Sequence, residues 1–79
     1  MFDLKNLDSE FDYVKNIKIS NISELESFRS RYFSKDGILP EIYRSISKIR
    51  GPKSQKYLLL MLELRHSVDQ VINKYGTIL

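Results

Sequence analysis

Cysteine, tryptophan and alanine are absent from this 79-residue chain, which also has only three glycines, two prolines and one histidine. Without cysteine there is no disulfide to staple a small core, and no thiolate to bind a metal or attack a substrate. His66 alone cannot assemble a zinc site, so neither a metal nor a catalytic residue is expected. The glycines stand isolated, which excludes a glycine-rich phosphate loop. Glu24 and Glu26 are two residues apart and point to different helix faces, so they do not form an acid–base pair. Long apolar runs are missing too: the longest uncharged stretch, Tyr57 to Leu62, falls far short of the ~20 residues of a membrane span. Met1-Phe2-Asp3-Leu4 places an acid where a signal peptide carries basic charge. A chain under ~80 residues buries too little surface to enclose an active site with stability to spare. The expectation is one soluble, cytoplasmic domain over residues 1–79, with no membrane partner and no complete enzyme.

With alanine missing, helices must be found by periodicity. Tyr57, Met61, Leu64, Val68, Val71 and Tyr75 follow at spacings of 4, 3, 4, 3 and 4, an a/d seam. Pro52 can open that helix and Gly76 stop it, which predicts a helix over about 53–75. Leu58, Leu60, Leu62 and Ile72 broaden its apolar face. Leu4, Leu7, Phe11 and Val14 repeat the spacing, predicting a first helix over about 2–18, with a break or kink at Ile17 to Ser20. Asn21 and Glu24 have the form of a capping box opening a helix over about 22–33 along Leu25, Phe28 and Tyr32. Gly37 should end it in a left-handed turn. Leu39, Ile42, Ile46 and Ile49 predict a short helix over about 39–49, with Pro40 in its first turn and Gly51-Pro52 closing it. The expected fold is all-α: the two ends of the chain pair as an antiparallel coiled-coil hairpin, and the short helix forms its tip.

The charge is uneven. Between Ser27 and Lys56 the cations Arg29, Arg31, Lys35, Arg44, Lys48, Arg50, Lys53 and Lys56 meet only Asp36 and Glu41, a local net of +6, while the remaining residues sum to −3. A basic tip on an acidic to neutral arm suits a phosphate backbone, because clustered Lys and Arg release condensed counterions on contact. These eight are the candidate nucleic-acid-binding residues, with Tyr32 and Tyr43 as candidate base contacts. The alternative is a helical protein-interaction module in which an exposed Leu58, Leu60 and Leu62 face docks a partner helix and nucleic acid has no part.

The stretch from Ile22 to Leu39 resembles the N-terminal helical domain of bacterial phenylalanyl-tRNA synthetase alpha subunits. That family carries a Leu-Glu run followed by Arg-x-x-Tyr-Leu-Gly-Lys-Lys-Gly, matched here by Leu25, Glu26, Arg29, Tyr32, Lys35 and Gly37. Ser34, Asp36 and Pro40 depart from the pattern, as does the leucine-rich stretch from Leu58 to Leu62. The short third helix, the proline before the last helix and Glu63-Leu64-Arg65 also keep the family order. The resemblance implies an antiparallel coiled-coil arm that grips the outer part of tRNA(Phe) for a phenylalanine-tRNA ligase. Its partners would be the catalytic domain of the alpha subunit and the beta subunit. ATP and Mg2+ would serve the parent enzyme and no cofactor would sit in this chain, where no class II catalytic motif occurs.

Overall fold

Pro52, whose fixed φ suits the first position of a helix, opens the longest element of the computed structural model, which describes residues 3–79. Among the described residues a single 3₁₀ turn, Leu4–Asn6, leads into α1 (Leu7–Asn16), followed by α2 (Ile22–Phe33), α3 (Ile38–Ser47) and α4 (Pro52–Ile78), with no strand. The 27 residues of α4 span about 40 Å at 1.5 Å per residue, so this helix sets the 43 Å long axis of a molecule only 20 by 17 Å across.

The helices pair in an order that helix counting alone does not reveal. Leu39, Pro40 and Tyr43 share a groove with Met61 and Arg65, whereas Ile46 and Ile49 lie beside Ser54 and Leu58, so α3 runs antiparallel to α4. Glu10 reaches Arg31 and Tyr32 while Tyr13 stacks on Phe28, so α1 and α2 are antiparallel to each other. Phe11 lies with Leu59, Leu62 and Glu63, and Val14 and Lys15 with Gln70, Val71 and Lys74. Residue numbers rise together there, so α1 runs parallel to α4. The hairpin is therefore α2 and α3, laid end to end, against α4. α1 folds back beside the end away from the α3–α4 turn, correcting the expected antiparallel pairing of the two chain ends. The all-α hairpin with a short helix at its tip is as the sequence predicts.

One core runs the length of the rod. Leu7 and Val14 of α1, Leu25, Phe28 and Tyr32 of α2, and Leu39, Ile42 and Ile46 of α3 close over Leu64 and Val68, which are fully buried. Phe11 and Val71 pack half-buried against it, so the expected facing set of Leu64, Val68 and Val71 with Leu7, Phe11 and Val14 holds, in parallel sense. Ile17 is extended, and the segment beyond it turns Ile19 into the core.

Boundaries differ from expectation where local chemistry overrides periodicity. α1 stops at Asn16 and begins only after the 3₁₀ turn; the predicted start at residue 2 lies outside the described residues. α2 has the expected bounds. The Glu24 amide donates to Asn21 Oδ1 at 2.8 Å, and the Glu24 carboxylate accepts from the Asn21 side-chain amide at 3.1 Å rather than from its backbone. α3 ends at Ser47 rather than Ile49, where Ser47 Oγ donates to the Arg44 carbonyl at 2.7 Å and the chain turns toward Gly51. Gly76 does not stop α4, which continues to Ile78. Its φ is not left-handed, and the Thr77 hydroxyl donates to the Asn73 carbonyl at 2.8 Å within the last turn.

The glycines do other work than predicted. Gly37 has an ordinary φ of −75° and caps the start of α3. A β-carbon there would lie 2.9 Å from the Tyr32 carbonyl oxygen and 3.0 Å from those of Arg31 and Ser34. The residue is glycine because α2 and α3 meet almost in contact. Gly51 is the left-handed residue, at φ 92°, and it reverses the chain between α3 and α4.

Candidate nucleic-acid interface

All eight candidate cations are exposed, but they do not form one patch. Lys48 and Arg50 lie in the turn that Gly51 closes, and Lys53 and Lys56 on the opening turns of α4, so these four gather at the distal end of the rod. No acidic residue sits in the first turn of α4, and no side chain caps it, leaving the positive end of the helix dipole beside the four cations. Arg50, Lys53 and Lys56 have no ion-pair or hydrogen-bond partner among the described residues.

Arg44 lies one step back on α3. It pairs with Glu41 at 3.1 Å and makes a long 3.5 Å contact to the Lys35 carbonyl, which fastens the α2–α3 turn to the side of α3. Lys35 keeps its ammonium exposed.

On α2 the two arginines are two residues apart, about 200° around the helix, and face opposite ways. Arg31 faces α1: its guanidinium lies 3.2 and 3.3 Å from the two Glu10 oxygens and 4.3 Å from the centre of the Tyr13 ring. Burial weakens its charge, but the Tyr32 and Glu10 contacts outweigh that and hold its proton more tightly than usual. Tyr32, fully buried, donates to Glu10 Oε1 at 2.9 Å. Burial, reinforced by Glu10 and opposed by Arg31, pushes its hydroxyl well above the ordinary phenol range. Tyr32 is therefore core and cannot stack on a base, and Arg31 is an internal tie. Arg29 has no ion-pair or hydrogen-bond partner among the described residues.

The Arg29, Tyr32, Lys35, Gly37 motif thus divides. Tyr32 and Gly37 are fixed by the fold, the first by its buried hydrogen bond and the second by the close approach of α2 and α3. Arg29 and Lys35 are exposed. One cation escapes a reading by charge segments: Arg65 lies outside the basic stretch, yet it shares a groove with Tyr43 and Phe33, four residues along α4 from Met61 in the same groove. That spacing and its place in Glu63-Leu64-Arg65 are the signals for it in the sequence.

Among the described residues no helix is long and apolar enough to cross a membrane, and no group of three or more acidic or histidine side chains could hold a metal ion. The outer face of α4 leaves Leu58, Leu59 and Leu62 exposed; Leu60 is half-buried against the core, so Leu59 takes the place expected for it.

No family model matches the chain, and no solved structure does. Over 60 residues, 76% of its length, the chain is 37% identical to the phenylalanine-tRNA ligase alpha subunit of Clostridium novyi (strain NT). It spans 18% of that relative.

Proposed function

We propose that this chain is the tRNA-binding arm of a phenylalanine-tRNA ligase alpha subunit, positioning tRNA(Phe) in the cytoplasm for a catalytic domain that is not part of these residues. The observation that carries this reading is the distal end of the rod: Arg50, Lys53 and Lys56 stand together, exposed and without internal partners, at the end of a 43 Å arm. The 37% identity to a phenylalanine-tRNA ligase alpha subunit supports the enzyme class. In this reading the arm supplies affinity and placement, contacting phosphates rather than reading bases, and identity is read elsewhere. Activation with ATP and Mg2+, and contacts to the beta subunit, belong to the parent enzyme.

The test is tRNA binding at two salt concentrations. Each neutralised phosphate contributes about −0.7 to −0.9 to the slope of log affinity against log salt. Replacing Arg50, Lys53 and Lys56 together with Gln should weaken binding and flatten the slope by about 2 to 3 units if each meets a phosphate, while helicity stays intact. Equal binding by both proteins, or none at low salt, would reject the arm as a tRNA contact. The exposed Leu58, Leu59 and Leu62 face would then favour docking of a partner protein. The reading frame following Leu79 in the gene checks the enzyme class independently.

A further inference from the structure

Three helices converge on a groove that the fold does not need. Phe33 from the end of α2, Tyr43 with Leu39 and Pro40 from α3, and Met61 with Arg65 from α4 line it. Its floor is supplied by Tyr32, already buried. Its walls are aromatic and left open to solvent: Tyr43 is 60% exposed and Phe33 is 37% exposed. Large rings exposed singly are ordinary on a protein surface. Two that border one groove, with cations around them, are not explained by core packing.

Arg65 lies in the groove itself and has no ion-pair or hydrogen-bond partner among the described residues. Arg29 is four residues before Phe33, on the same face of α2 and one turn away. Arg44 follows Tyr43 on α3, but Glu41 already takes its charge. Positive charge therefore borders the groove from α2 and α4, while its lining offers carbon and π surface. That is the chemistry of an unpaired nucleotide: a flat ring to stack and a phosphate to neutralise. The interior of a duplex cannot offer this, because its bases are already stacked.

We propose that the groove between Phe33, Tyr43 and Arg65 is a stacking site for an unpaired base of an RNA. The base lies against the Tyr43 and Phe33 rings and its phosphate faces Arg65 and Arg29. The inference rests on the RNA-binding reading of the arm and deepens it. The distal cations supply charge that any RNA backbone satisfies, and the groove selects RNA that carries a looped-out or single-stranded base.

The 79-residue chain is titrated with a mixed-sequence single-stranded RNA 12-mer and with a long RNA duplex, in which terminal base faces are few, at two salt concentrations. Tyr43→Leu keeps an apolar side chain but removes the π face. Losing a stacked ring should weaken single-strand binding by about 5- to 150-fold, with the salt slope unchanged. Duplex binding should not change. Tyr43→Phe restores the ring and should bind nearly as wild type, while thermal melting shows all variants folded. Phe33→Leu should act in the same direction as Tyr43→Leu. The proposal is overturned if both leucine variants bind the single strand as wild type does while Arg50→Gln still lowers affinity; the distal phosphate contacts then stand alone. An equal loss on single strand and duplex would also overturn it, by showing that the ring supports the structure. Wild-type protein that prefers the duplex would reject base stacking and leave the groove to an apolar protein side chain. If wild type binds neither RNA at low salt, the RNA-binding reading fails and takes this one with it.

Discussion

The middle and the distal end of this rod use the same residue type for opposite purposes. Where α1 lies against α2, Arg31 is spent inside the molecule: Glu10 takes its charge, Tyr13 its face, and Tyr32 completes the tie. At the α3–α4 turn, Arg50 meets no acid among the described residues and stays available. What separates them is the presence of an acid within reach, since α1 brings Glu10 to Arg31 whereas Pro52 opens α4 with no acidic residue in its first turn. Charge density along a sequence locates cations. Only the fold says which of them are already neutralised.

Breaking the core that both regions share should have the largest effect. Leu64 is fully buried where α1, α2 and α4 meet, so Leu64→Asp strands a charge there, at a cost of at least about 3 kcal/mol. A chain of this size has little more to lose, and its cooperative thermal transition should vanish by circular dichroism. Leu62→Asp, on the exposed face of the same helix, should melt as wild type does. A folded Leu64→Asp protein would contradict the position of α4.

Much of this was legible in the sequence. The a/d spacing from Tyr57 to Tyr75 located α4, and Asn21 with Glu24 located the start of α2, because amphipathic faces and caps are local signals. The sense of α1 was not legible: a heptad stripe marks which face is buried, not whether its partner runs parallel or antiparallel. Nor were the glycine roles. Gly37 looked like a left-handed cap, but its reason is the Tyr32 carbonyl across the α2–α3 junction, a contact fixed only by packing. For the site, the eight cations were found by composition. The inward commitment of Arg31 and the groove placement of Arg65 depend on neighbours 21 residues away or on other helices.

The next contrast lies in the junctions. Gly37→Ala sets a methyl against three backbone oxygens that cannot rotate away, and should cost about 1–3 kcal/mol by prying α3 from α2. Gly51→Ala meets no atom but must hold φ 92°, costing about 1–2 kcal/mol through backbone strain. Gly76→Ala meets neither obstacle inside a helix and should stabilise by up to about 0.5 kcal/mol. Denaturant melts of the three variants check the order, and a neutral Gly37→Ala would show that the junction is looser than described.

The tie between α1 and α2 has its own signature in alkali. Tyr32→Phe removes the hydrogen bond to Glu10 and should cost about 1.5 kcal/mol at neutral pH. In the wild type, both states hold the Tyr32 proton below the ordinary phenol value of about 10, so this group adds no pH dependence there. Above that value the unfolded chain releases the proton while the folded one, whose hydroxyl is pushed higher, retains it; stability falls as pH rises. Tyr32→Phe should lose that alkaline decline as well as the neutral stability. Melting temperatures at pH 7 and above pH 10 measure both, and an unchanged alkaline decline would place its source elsewhere.

The smallest effect tests the contrast between the two regions most directly. Arg31→Gln and Arg50→Gln each remove one positive charge, so a binding surface that answered only to net charge would treat them alike. The geometry separates them: Arg31 already faces Glu10, and Arg50 faces solvent. Arg50→Gln should reduce the salt slope of tRNA binding by roughly 0.7 to 0.9, one phosphate contact, and leave the melting temperature in place. Arg31→Gln should do the reverse, costing a few tenths of a kcal/mol because the pair is partly exposed, with the slope unchanged. A parallel salt titration and thermal melt of the two proteins gives the comparison. Were Arg31→Gln to flatten the slope as much as Arg50→Gln does, Glu10 would have to release Arg31 when RNA binds. The α1–α2 tie would then belong to the binding surface and not to the scaffold.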